Sequence, residues 1–176
     1  VFSPDGKYIA SSTDGQYFTA STSQNIVKLW HVESGECTRT ISLFHGHWLS
    51  SIAFSLDGEY LASCGGDDTV KVWHLDSGEC TIIDDLHSEN ICSVAFSPDG
   101  KYLASSSEDR TVKVWHVENS YYRRTMKGAN GSEVAFSPDG QYIASGGMNA
   151  TVKLWCVETG ECIRSMVGHS CGVISV

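Results

Sequence analysis

One phrase recurs four times along the chain: IVKLWHVESGEC, TVKVWHLDSGEC, TVKVWHVENSYY and TVKLWCVETGEC. Its tryptophans, Trp30, Trp73, Trp115 and Trp155, are spaced 43, 42 and 40 residues apart. Upstream of the last three stand AFSLDGEYLAS, AFSPDGKYLAS and AFSPDGQYIAS, with Phe54, Phe96 and Phe136 each 19 residues before their tryptophan. Wording and internal distance are held together, so each unit must be one supersecondary element, and the fold must be built by stacking its copies.

Each unit reads as four short strands. The first is an apolar run such as ICSVAFS. A Pro-Asp-Gly turn follows, in which Pro presets φ and Gly supplies the positive φ of a tight hairpin. The second strand is KYLAS-like. The third, TVKVWH, alternates β-branched or aromatic residues with polar ones. A Ser-Gly or Thr-Gly turn leads to the fourth, such as ECTRTISL. Period-two alternation with closely spaced turns is antiparallel β, and the intervals are too short for a helix. A lone four-stranded sheet cannot bury both faces, so copies pack face to face. Four strands and one Trp per unit match a β-propeller blade.

These units resemble the WD-repeat (WD40) family of β-propellers, and the resemblance spans nearly the whole chain. It implies an all-β propeller of four-stranded antiparallel blades, with approximate units 1–43, 44–86, 87–127 and 128–167, and residues 168–176 starting a further one. About four blades are few for a family whose rings usually carry about seven, so a partial propeller is expected. The resemblance also implies a hydrogen-bonded tetrad of His, Ser, Asp and Trp in each blade. Matched by position, the third unit has His87, Ser105, Asp109 and Trp115, and the second has His45, Ser63, Asp67 and Trp73. The fourth keeps Ser145 and Trp155, with Asn149 in place of Asp. The first keeps only Trp30, with Ala20 and Gln24 at the Ser and Asp places. Unpaired buried polar groups cost about 1–3 kcal/mol each, so the third blade should be the most rigid.

The first unit contains a doubled phrase: PDGKYIASS at Pro4–Ser12 and TDGQYFTAS at Thr13–Ser21. Counting back from Trp30, Asp14 stands where Asp57 stands before Trp73. The second copy is then the second strand, and KYIASS the first strand, with Ile9 matching Ile52. At the other end, GHSCGVISV stops at a point that VFSPDG would continue. Either the sequence is a window on a longer tandem array, the favoured reading, or the N-terminal piece completes the C-terminal strand in a closed ring.

The net charge of −9 lacks the basic footprint of a nucleic-acid binder. No run of about 18 apolar residues suggests a membrane span. Seven cysteines include Cys37, Cys80 and Cys162 at one repeated position, which reads as apolar filler in a reducing, intracellular and cytoplasmic setting. No catalytic or cofactor motif is present. His31, His74 and His116 fall on different blades, too far apart to share a metal ion. Function is therefore expected from surface: a non-catalytic scaffold binding protein or peptide partners, or else a regulatory region of a larger enzyme or signalling protein. The loops that join the fourth strand to the next first strand, and the second to the third, carry Trp48, Asp68, Glu89, Glu108, Arg110 and Met148. Trp48 is the aromatic anchor candidate, and Asp68, Glu89 and Glu108 point to a basic partner. Exposed faces of an incomplete ring would also favour self-association.

Overall fold

The same turn is built four times, each time leading into the KYLAS-like strand of its unit. In Ser97-Pro-Asp-Gly-Lys, the Ser97 hydroxyl donates to Asp99 at 2.5 Å and accepts the Tyr102 amide at 2.9 Å. Asp99 also accepts the Lys101 amide at 3.1 Å, and Gly100 sits at φ 71°. Ser3–Asp5, Ser55–Asp57 and Ser137–Asp139 repeat the hydroxyl–carboxylate bond. The Ser3 hydroxyl and then the Lys7 amide bring Asp5 down to about 2.

The structure, a computed structural model, describes residues 1–13, 25–45, 48–84, 87–118, 122–129 and 131–176. The first sheet holds β1 (Tyr8–Thr13), β2 (Ile26–His31) and β3 (Cys37–Ser42). The second holds β4 (Leu49–Phe54), β5 (Tyr60–Gly65), β6 (Val70–His74) and β7 (Cys80–Ile83). The third holds β8 (Ile91–Phe96), β9 (Tyr102–Ser107), β10 (Thr111–His116) and β11 (Tyr122–Lys127). The fourth holds β12 (Gly131–Phe136), β13 (Tyr142–Gly147), β14 (Thr151–Cys156) and β15 (Cys162–Val167). All pairing is antiparallel, and a bulge falls at Trp30, Trp115 and Trp155. No helix among the described residues is long and apolar enough to cross a membrane.

The core lies between blades. Leu29 and Ile41 of the first meet Leu61 of the second. Val72 and Ile83 of the second meet Trp115 and Val94 of the third. Met126 and Val112 of the third meet Trp155 and Ile143 of the fourth. Trp73, Trp115 and Trp155 thus each cover the outer-strand side of the blade before. No apolar cluster among the described residues joins the fourth sheet to the first, so the four blades form an open arc, a partial propeller.

Two expectations are corrected here. KYIASS is not a first strand: Tyr8 faces His31 and Ile9 faces Trp30, the register of Tyr60 with His74 and Leu61 with Trp73. Phe2 bridges Ile9, as Phe54 faces Leu61. VFSPDGKYIASS is therefore the in-register copy; of the second phrase Thr13 ends β1, and the rest lies outside the described residues. Continuous pairing along β1 decides this, where counting from Trp30 could not. The cysteines are all free, as expected, but apolar filler fits Cys64, which is buried, and not Cys37, Cys80, Cys162 and Cys171, which are exposed.

Candidate functional site

The connections between second and third strands gather at one end of the arc. In three blades they turn through a non-glycine residue in the left-handed region: Asp68 (φ 58°), Arg110 (φ 66°) and Ala150 (φ 62°). That conformation costs an L-residue about 1–2 kcal/mol. The side chain just before it holds the turn. Asp109 accepts the Thr111 hydroxyl at 2.6 Å and its amide at 2.9 Å; Asn149 accepts the Thr151 hydroxyl at 2.6 Å.

Beneath the third turn, four side chains form one relay. Trp115 donates its indole N–H to Ser105 at 3.3 Å, and Ser105 lies 2.9 Å from His87 Nε2. His87 Nδ1 lies 2.8 Å from Asp109. A carboxylate only accepts, so Nδ1 carries the proton and Nε2 accepts from the Ser105 hydroxyl. Burial outweighs the pull of Asp109 and lowers the His87 pKa, which suits this neutral ring. Burial would raise Asp109, but hydrogen bonds from Thr111 and His87 prevail and lower it.

In the second blade His45 spans Asp67 at 2.7 Å and Ser63 at 2.8 Å. The expected bond from Trp73 is absent: its indole N–H is buried with no partner among the described residues. A buried lysine takes up the slack. Lys71 donates to Asp67 at 3.0 Å and to the carbonyls of Leu43 and Phe44 at 3.0 and 2.7 Å. Nothing in the sequence marks it, because Lys28, Lys113 and Lys153 fill the same place in the other repeats. In the fourth blade Trp155 donates to Ser145 at 2.9 Å. In the first, Trp30 donates to Ser11 at 2.8 Å, so this blade keeps more than its tryptophan. Ala20 and Gln24 lie outside the described residues.

His31, His74 and His116 each sit edge-on to the facing tyrosine, Tyr8, Tyr60 and Tyr102, with centroids 5.1–5.5 Å apart. They are spacers on the opposite end of the arc from the loops above.

The six surface candidates divide. Glu108, Arg110 and Met148 meet in one open cleft of about 680 Å³ between the third and fourth blades, with Cys92, Asn149 and Ile174. Asn90 donates to the Glu108 carboxylate at 2.9 Å, which fixes its direction. Burial, with the Glu108 charge beside it, pushes the Cys92 thiol up to about 11, so this side chain is neutral at physiological pH. Met148 and Ile174 are 75% and 81% exposed on the rim. Trp48, Asp68 and Glu89 lie outside this cleft. Trp48 lies over Gly66, and its carbonyl accepts the Gly66 amide at 3.0 Å. Asp68 is half-buried, and Glu89 is exposed while its carbonyl accepts the Ser107 hydroxyl at 2.9 Å. Ile174, Cys92 and Asn149 escape sequence reading because three different segments bring them together.

A family model described as the IFT122 first beta-propeller matches residues 1–176. No curated protein matches the chain.

Proposed function

The chain belongs to the family of the IFT122 first beta-propeller, a WD-repeat-type propeller whose general role is that of a protein-interaction scaffold, and from that premise we propose that it holds an extended basic segment of a partner protein in the cleft between its third and fourth blades. Met148 and Ile174 offer apolar contact on the rim. Glu108, held by Asn90, receives a lysine or arginine, and Arg110 donates to the carbonyls of the bound backbone. Glu89 and the net charge of −9 extend the same attraction over a longer range. The convergence of Glu108, Arg110 and Met148 in one cleft is the observation that carries this reading. The rigid turns beneath it keep the cost of ordering low.

Fluorescence anisotropy with short lysine-rich peptides, each carrying one leucine, tests it. Charge-reversed peptides of the same length serve as controls. Glu108→Lys and Met148→Asp should each weaken binding about tenfold or more with circular dichroism unchanged. Equal binding of basic and acidic peptides would overturn the assignment.

A further inference from the structure

The cleft between the third and fourth blades has a counterpart one blade earlier. Leu49 faces Gly65 as Ile91 faces Ser107 and Gly131 faces Gly147. The residues that follow Gly65, Ser107 and Gly147 are Gly66, Glu108 and Met148, and the left-handed residues of the same turns are Asp68, Arg110 and Ala150. In the cleft, Arg110 of the third blade and Met148 of the fourth line one opening. At the seam between the second and third blades the same two places are held by Asp68 and Glu108. Glu108 therefore borders both seams.

Asp68 is left unmatched by the chain itself. Its Oδ1 is buried with no hydrogen-bond partner among the described residues, whereas its neighbour Asp67 is bonded to His45, Thr69 and Lys71. Its backbone stands at φ 58°. An unmet buried acceptor and a left-handed backbone both destabilise the fold, and strain of this kind collects at functional positions. The residue is half-buried and reachable from the surface. Its charge arrives at the third blade, where it joins Asp109 in a pull on the His87 ring that burial outweighs. Asp84 and Glu89, exposed on the connection that crosses this seam, are both acidic.

Trp48 stands beside this carboxylate. In the third blade Asn90 donates to Glu108 at 2.9 Å. At the same two places in the second blade stand Trp48 and Gly66, and the indole lies over the glycine: a Cβ there would come within 2.9–3.1 Å of three ring atoms. The missing side chain is what lets an aromatic ring, 40% exposed, rest on the loop surface next to Asp68.

We propose that the seam between the second and third blades is a second subsite for the partner's basic segment, receiving an arginine whose guanidinium lies on the Trp48 ring and pairs with Asp68. This rests on the reading of the cleft given above, and Glu108 is the wall that the two subsites share. Arginine fits better than lysine, because a planar guanidinium can stack on an aromatic face and donate to a carboxylate at once.

Fluorescence anisotropy on the whole chain tests it, with peptides that carry the lysine and leucine of the cleft and one arginine at successive positions to either side. At one position arginine should bind about tenfold tighter than citrulline. Asp68→Asn and Trp48→Leu should each remove that gain and leave the affinity of the citrulline peptide unchanged. Asparagine tolerates a positive φ, so Asp68→Asn should melt no lower than wild type, which separates loss of the subsite from loss of the fold. A gain at no position, or one that survives Asp68→Asn, overturns the subsite, and the cleft still stands if Glu108→Lys weakens the citrulline peptide. Equal binding of acidic control peptides overturns the cleft reading and the subsite with it.

Discussion

Trp30 reaches Ser11 across 19 positions of sequence, whereas Trp115 and Trp155 reach Ser105 and Ser145 across 10. The bond is the same and the blade position is the same. The surplus of nine residues equals the offset between the two copies of the doubled phrase, and it lies wholly in the β1–β2 connection.

Deleting residues 14–22 should therefore leave a folded protein. The connection would shrink to three residues, the length of the 108–110 turn, and the closure entropy saved is about 1 kcal/mol. Urea denaturation checks this: the midpoint should rise slightly. Loss of cooperative unfolding would mean that TDGQYFTAS supplies a strand.

Asp109→Ala should destabilise the third blade. It strips a buried ring N–H and the Thr111 hydroxyl of their acceptor, at about 2–3 kcal/mol. Ser63→Ala should cost less than Ser105→Ala, because Ser63 serves His45 alone while Ser105 serves both His87 and Trp115. Thermal melts of the three variants against wild type give the ranking.

Acid should loosen the same blade through His87. Its folded pKa lies below the ordinary 6.5 because burial, aided by Lys113, outweighs the opposing pull of Asp109 and Asp68. The unfolded chain then binds more protons as pH falls through 6.5, so this contribution is whole above that value and is lost below it. Asp109, lowered from 3.8, adds its own loss only in stronger acid. Melting temperature between pH 8 and pH 5 should fall less steeply for His87→Asn than for wild type.

Ala150→Gly should stabilise the protein by about 0.5–1 kcal/mol, since alanine gains nothing from its side chain at φ 62° and glycine adopts that conformation freely. The denaturation midpoint measures it. A drop would mean that the Ala150 methyl makes a contact worth more than the backbone strain.

The strands, their order and the stacking of units were legible in the sequence because repeat spacing records pairing directly. The doubled phrase was not. Both copies satisfy the local pattern of a turn and a second strand, and only the ladder from Tyr8 to Thr13 against Ile26 to His31 separates them. Lys71 and Trp73 were hidden for a related reason: the same letters recur in every unit while their partners change, so Lys71 is buried and Trp73 lacks the bond its counterparts make. Glu108, Arg110 and Met148 were readable as loop residues. Their meeting with Ile174 was not, because it depends on how one blade leans on the next.

That lean has a direction. Ser106 donates to the Ser132 carbonyl at 3.0 Å, and Gly131 closes against Ser107, so the third blade is sealed by the opening residues of the fourth. On a ribosome, which releases the N-terminal end first, the third blade waits for the start of the fourth. Its closure is a latch, thrown by the next stretch of chain to emerge.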